Sequence, residues 1–201
     1  MQPLVLPSDR ITAREQFGVL LNDLRLTGEA IEIGTYVGDF AIPLLSTWHG
    51  RLLHVIDPWE SYAGYEKDCL FNENLPEKYK VFCEKIARFK HRVKIHKAMS
   101  QDIAGRFADN SMDFIYIDGN HEYSFAKKDL HLYWPKVKPG GIFAGHDFDA
   151  GSWADDCRKA VLEFFAELHL PIFFVPGDAY SWYVHKPIVR TVEMAPAALG
   201  V

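Results

Sequence analysis

The chain has 201 residues, which the usual domain size of about 100–200 residues reads as one domain. Hydrophobic residues make up 48% and charged residues 24%, so a mostly disordered chain is excluded. With 22 basic and 27 acidic residues the net charge is −5, which speaks against a general basic surface for nucleic acid.

Cys69, Cys83 and Cys157 are far apart and form no CxxC pair. Neither a disulfide framework nor a zinc ribbon is expected, and a reducing cytoplasm is. Residues 1–10 lack the basic start and long apolar run of a signal peptide. No apolar run approaches the roughly 18 residues of a membrane-spanning helix, so no membrane partner is expected.

Short apolar strands alternate with amphipathic helices. The first helix is predicted over about Thr12–Leu24, within an N-terminal helical extension of residues 1–27. Residues 30–34 read as a buried strand ending at a glycine. Asp39 can cap a helix running to about Trp48, with Pro43 in its first turn, where proline does least harm. Leu52–Ile56 is a second strand, stopped by Asp57-Pro58. Residues 60–76 look like a loop or a broken helix, and Glu77–Phe89 like a helix.

Val93–His96, Phe114–Ile117 and Ile142–Ala144 follow as strands. A helix over Tyr123–Trp134 separates the last two, and Pro139-Gly140-Gly141 reads as the turn before the fifth strand. The clearest helix carries Trp153, Cys157, Ala160, Val161, Phe164, Phe165 and Leu168 on one face, behind a Ser152 cap. Ile172–Val175 and Tyr180–Val184 flank Pro176-Gly177-Asp178 as a β-hairpin.

Five strand–helix units and a hairpin predict an α/β fold: a doubly wound, mostly parallel sheet with helices on both faces and one antiparallel strand at its end. Ligands of such sheets bind beyond the carboxyl ends of the strands. That rule selects five loops.

The first, Glu32-Ile33-Gly34-Thr35-Tyr36-Val37-Gly38, lacks the second glycine of a dinucleotide fingerprint and the Gly-Lys-Ser/Thr of a P-loop. It suits a ligand without a pyrophosphate, or it is an ordinary strand-to-helix turn. Asp57, after the second strand, stands where a carboxylate holds a ribose diol, and Trp59 could wall the site. The plainer reading is an Asp-Pro turn. Met99 could lie against a flat base, with Ser100 or Gln101 at its edge; Ser100 could equally cap a helix. Asp118-Gly119-Asn120-His121-Glu122 and Gly145-His146-Asp147-Phe148-Asp149 end the fourth and fifth strands. Asp118, His146 and Asp147 together could ligate a divalent cation, and His121 could act as a base. Taken singly, either histidine could be a surface or capping residue.

The ordered set of these stretches, with Leu132–Phe148, resembles the class I S-adenosylmethionine-dependent methyltransferases over about residues 28–186. More narrowly it is similar to the macrocin O-methyltransferase-like enzymes. The resemblance implies a Rossmann-like, seven-stranded sheet with the last strand antiparallel, and a small-molecule hydroxyl as methyl acceptor. It implies that Glu32, Gly34, Thr35, Tyr36, Val37 and Gly38 cradle the methionine end of S-adenosylmethionine. Asp57, Pro58 and Trp59 would take the ribose, Met99, Ser100 and Gln101 would border the adenine, and Asp118 would touch the cofactor. Asp118, His146 and Asp147 would match the metal ligands, and His121 a catalytic base. Residues 60–80 would be an insertion covering the acceptor, with Tyr62, Tyr65, Phe71 and Tyr79 as lining or lid.

One departure stands out. The position of His146 is carboxylate-rich in metal-dependent relatives, and histidine suits a transition metal better than Mg²⁺. Either the metal differs, or His146 does not bind it, or His146 is itself a base. A metal-dependent hydrolase and a nicotinamide-dependent oxidoreductase are the competing enzyme readings, and a non-catalytic binding domain is the third. Homo-oligomerisation is left open.

Overall fold

Successive residues of a strand point to opposite faces of a sheet. Ala30, Ile31, Glu32 and Ile33 are all buried, so both faces of their strand are covered. The computed structural model describes residues 2–63, 73–148, 155–175 and 178–188. Its strands are β1 (Val5–Pro7), β2 (Glu29–Ile33), β3 (Leu52–Asp57), β4 (Val93–Lys97), β5 (Met112–Ile117), β6 (Val137–Gly145), β7 (Ile172–Val175) and β8 (Asp178–His185). They form an eight-stranded sheet in the order β1-β7-β8-β6-β5-β2-β3-β4. β8 runs antiparallel to β6 and β7; the other pairings are parallel.

The helices are α1 (Phe17–Asp23), α2 (Ala41–Thr47), α3 (Leu75–Ile86), α4 (Ser100–Ile103), α5 (Tyr123–Tyr133) and α6 (Asp155–Glu167). Helices α1, α2 and α3 cover the face that carries Ala30, Val55, Phe114 and Tyr116. Helices α5 and α6 cover the opposite face, with Ile31, Ile115 and Phe143. Phe17 of α1 is fully buried among the rings of Phe40, Phe114, Tyr116 and Tyr183. Burying such a side chain stabilises by about 1.5–3 kcal/mol. None of the described helices is long and apolar enough to cross a membrane.

The chain leaves central β2 for β3 on one side and reaches β5 on the other. Strand order therefore reverses between β2 and β5, which opens a crevice at their carboxyl ends.

Several expectations are corrected. The sheet has eight strands rather than seven, because Val5–Pro7 pairs with β7 at the edge. Three residues next to a proline carry no readable alternation, and an edge is where proline is tolerated. This stretch is extended, so the first 27 residues are only partly helical. The last strand is the antiparallel one, as expected, but it lies inside the sheet between β6 and β7. Asp39 does not cap α2; the helix starts behind Phe40 without a side-chain cap, and the Asp39 carboxylate faces Lys85 at 3.4 Å. Helix α3 starts at Leu75, capped by Asn74, and gives way to a 3₁₀ turn at Ala87. Pro139-Gly140-Gly141 lies within β6, where the register against β5 shifts. Ser152, Trp153, Pro176 and Gly177, with Cys69, Tyr65 and Phe71, lie outside the described residues.

Candidate active site

The rim of the sheet is knitted by hydrogen bonds that continue the strand ladders. Gly34 N–H donates to Ile56 O at 2.9 Å, Asp118 N–H to Ile33 O at 2.7 Å, and His146 N–H to Ile117 O at 2.9 Å. Gly34 has φ +82°, and a Cβ there would lie 1.8 Å from the Asp118 carbonyl oxygen. Only glycine lets the loop after β2 pass the loop after β5 so closely.

Asp57 is held by two backbone donors, Tyr36 N–H at 2.8 Å and Trp59 N–H at 2.7 Å. Tyr36 and Trp59 both adopt left-handed backbone, φ 49° and 45°. Such positions cost about 1 kcal/mol or more each and persist only where the surroundings over-determine them. Here the Trp59 indole donates to Tyr36 O at 2.7 Å and stacks on Phe82. Burial pushes the Asp57 carboxyl up, against the pull of these donors. Glu32 accepts from Thr35 Oγ1 at 2.9 Å. Burial, opposed by that bond and assisted by the charges of Asp118 and Asp57, raises Glu32 to about 8.

At the ends of β5 and β6 two imidazoles share one carboxylate. Asp147 Oδ2 lies 3.0 Å from His121 Nε2, and Oδ1 lies 3.0 Å from His146 Nδ1. Burial works against the Asp147 charge, but the hydrogen bonds from both histidines outweigh it and hold the carboxyl well below the ordinary range. Asp118 is pushed the other way by burial, against the nearby His146 and with the Asp147 charge adding to the rise. Environments that drive two neighbouring carboxyls apart are a mark of acid–base sites. The Cys157 thiol of α6 donates to His121 O at 3.4 Å and ties the histidine loop to the helix layer.

These groups line a cavity of about 290 Å³, near the lower end of ligand-pocket volumes. It brings together Glu32, Gly34, Thr35, Tyr36, Asp57, Pro58, Met99, Ser100, Asp118, His121, His146 and Asp147. Four expected cofactor residues do not line it. Val37 and Trp59 are buried in the core, Gly38 lies against Phe82 and Ile42, and the Gln101 amide oxygen is bonded by Lys128. Ser100 does not cap α4; its hydroxyl donates to Asp129 at 2.6 Å. Tyr62 lines the cavity and is bonded by Asn120, whereas Tyr79 packs on Trp59.

Among the described residues, Asp118, His121 and Asp147 each offer a ligand atom within 4.8 Å of the others. His146 Nδ1 stands 3.8 Å from Asp118 and 3.0 Å from Asp147, beside the same two carboxylates. The site also holds residues that the sequence reading missed: Arg14, Asn120, Phe125 and Asp129. Asp129 was legible in principle, as a carboxylate on the buried stripe of α5 beside Ala126, Leu130 and Tyr133.

Residues 31–148, more than half of the chain, match a family model described as a methyltransferase domain, and the chain belongs to that family. An uncharacterised protein of Acanthamoeba polyphaga mimivirus is 25% identical over 138 residues. That match covers 69% of this chain and 59% of the viral protein, so the chain spans about three fifths of that relative's length. Among solved structures, the O-methyltransferase NovP is similar with a TM-score of 0.65 and 19% identity, covering 87% of this chain and 78% of NovP. The O-methyltransferase TomG from Streptomyces achromogenes, solved with SAM, gives a TM-score of 0.60 and 15% identity, covering 88% of this chain and 79% of TomG. An O-methyltransferase from Bacillus cereus, solved with SAH, gives 0.59 and 15%, covering 89% and 84%. At these identities the likeness speaks for the fold.

Proposed function

We propose that the chain transfers a methyl group from S-adenosylmethionine to a hydroxyl of a small molecule in the cytoplasm, with His121 as the base. The observation that carries this reading is one shared cavity. The carboxylate that ends β3, the glycine turn after β2 and the His121–Asp147 pair all face it.

The residues fit the cofactor. Asp57 is fixed by backbone donors, and carboxylate oxygens keep lone pairs for the two ribose hydroxyls. Glu32 is a buried acid on the cavity wall, suited to the cationic methionine end. Met99 and Ser100 line the same cavity and would border the adenine. When bound, the cofactor supplies a methyl already activated on a sulfonium. The cavity must hold the acceptor oxygen about 3 Å from that carbon and in line with its bond to sulfur.

An aliphatic hydroxyl does not ionise at neutral pH, so a proton acceptor is required. Asp147 accepts from Nε2–H of His121, which selects the tautomer with a lone pair on Nδ1. Nδ1 then takes the hydroxyl proton while the Asp147 charge stabilises the imidazolium. The ordinary imidazole pKa of about 6.5 suits this work, and such assistance contributes about 10²–10⁴-fold.

A second reading rests on the spacing of Asp118, His121 and Asp147. Two carboxylates and an imidazole suit Mn, Fe, Co, Ni or Zn better than Mg²⁺. A cation there would polarise the acceptor oxygen and draw His121 away from the role of base. Two experiments test the proposal. Calorimetry with S-adenosylhomocysteine checks the cofactor, and no binding would end the reading in favour of a hydrolase or oxidoreductase. Turnover after exhaustive chelation separates the two mechanisms. Full activity supports the histidine base alone; a loss restored by Mn or Zn supports the cation.

A further inference from the structure

We propose that Asp129 reads the amino group of the cofactor's adenine and makes the site prefer an adenosyl over an inosyl cofactor. The inference rests on the methyltransferase reading above and assigns a specificity residue within that site.

Asp129 stands on the buried face of α5, beside Ala126, Leu130 and Tyr133, with an exposure of 6%. A buried carboxylate is costly unless its oxygens find donors. Oδ1 accepts from the Ser100 hydroxyl at 2.6 Å, and Oδ2 has no hydrogen bond among the described residues. No fully buried side-chain oxygen among those residues lacks a partner, so Oδ2 opens on the cavity that Asp129 lines. A Cβ on Gly119 would lie 3.7 Å from Oδ2, which places this oxygen towards the bare turn after β5, on the same cavity wall. Burial raises the carboxyl to about 7, against the Ser100 bond and the charge of Lys128. These partners leave the charge short of full compensation, and an N–H from a ligand would supply the rest.

The same end of the cavity suits the base. Asp57, which would hold the ribose, accepts from Ala98 N–H at 3.2 Å through its own carbonyl. The turn through Met99 and Ser100 thus starts beside the ribose carboxylate, and the Ser100 hydroxyl leads to Asp129. A base bonded to that ribose falls on this turn. Phe125, one helical turn before Asp129, also lines the cavity, with its ring 5.7 Å from that of Tyr62. Aromatic faces hold any base, so discrimination needs a contact at the edge. Adenine presents an amino donor where hypoxanthine presents a carbonyl oxygen. A carboxylate accepts from the first and repels the second. Gln101, the edge residue that the resemblance implies, is bonded by Lys128 and does not line the cavity. The Tyr133 hydroxyl donates to Ser100 O at 2.7 Å, which holds the turn in place independently of the Asp129 charge.

The test uses the full chain as wild type, Asp129→Asn and Gln101→Ala. Each is titrated by calorimetry with S-adenosylhomocysteine and with S-inosylhomocysteine, in which a carbonyl oxygen replaces the amino group. The wild type is expected to bind the adenosyl compound about 10–100-fold tighter, the worth of a charge-assisted hydrogen bond. In Asp129→Asn the amide oxygen keeps the Ser100 bond and the NH₂ turns to the cavity. The preference then falls to about onefold or reverses, while the thermal midpoint stays close to that of the wild type. Gln101→Ala keeps the wild-type preference. The proposal is overturned if the preference survives in Asp129→Asn, since a carboxylate that only anchored Ser100 would weaken both compounds alike. It is equally overturned if Gln101→Ala abolishes the preference. Should Asp129→Asn unfold below the titration temperature, the Gln101→Ala ratio decides: a retained preference supports the proposal and a lost one ends it. Wild type that binds both compounds alike fails this proposal alone, whereas wild type that binds neither fails the methyltransferase reading with it.

Discussion

Asp147 holds His121 at 3.0 Å from a backbone in the left-handed region, φ 60°. A buried carboxylate in a strained conformation is costly, and it persists here because each oxygen has an imidazole partner. The pair is expected to act as a unit. His121→Ala and Asp147→Asn should each lower kcat by about 10²–10⁴-fold, and the double variant should be little worse than either. Single-turnover kinetics on the three variants checks this. Losses that multiply would show two independent roles.

Asp57 should govern cofactor affinity rather than the chemical step. Asp57→Ala removes the acceptor for Tyr36 and Trp59 N–H along with the ribose contacts. Affinity for S-adenosylhomocysteine should fall about 10–100-fold, and folding stability by about 1–3 kcal/mol for each buried donor left without a partner. Asp57→Asn should recover most of the stability and little of the affinity. Calorimetry and thermal melts on both variants separate the two effects.

Glu32 should release a proton when the cofactor binds. Its carboxyl, raised to about 8 by burial first, is mostly protonated at pH 7 in the empty cavity. A cation seated nearby favours the charged form and lowers that value. Binding enthalpy at pH 7 should therefore depend on the ionisation enthalpy of the buffer, with up to about one proton released. The dependence should vanish at pH 9, where the group is already ionised, and in Glu32→Gln.

A histidine pair on the far side of the sheet should set acid stability. His54 Nδ1 lies 3.0 Å from His96 Nε2, and His54 Nε2 lies 3.2 Å from Glu29. Burial is the main cause that lowers both imidazoles, His96 from 6.5 to about 4, with the His54 charge adding to the fall for His96. The unfolded chain then binds protons that the folded chain refuses. Stability should be complete above pH 6.5, drop as pH falls towards 4, and drop no further from this source below it. Denaturant melts from pH 8 to 4 should show the slope, and His96→Gln should flatten it.

Much of the frame was legible in the residues themselves. The apolar strands ending at Gly34, Asp57, Asp118 and His146 announce a parallel sheet and a rim of functional groups, because alternation and breakers are local properties. Helix ends were less legible. The Asp39 cap failed because the helix opens one residue later, behind Phe40, which leaves the exposed Asp39 carboxylate 3.4 Å from Lys85. Asp129 was missed because a charged residue on an apolar helix stripe gains its meaning only from Ser100, 29 residues away.

Sequence alone determined the α/β class, the strand-end loops and the chemical types gathered there, since these follow from periodicity and from glycine and proline along a short stretch. Tertiary structure decided which groups meet. It drew Asp118, His121, His146 and Asp147 into one cluster with both histidines on the Asp147 carboxylate, buried Trp59 behind the site, slid β8 between β6 and β7, and brought Arg14 over the rim. Those outcomes depend on contacts between residues far apart in the chain, and no local pattern encodes the distance between them.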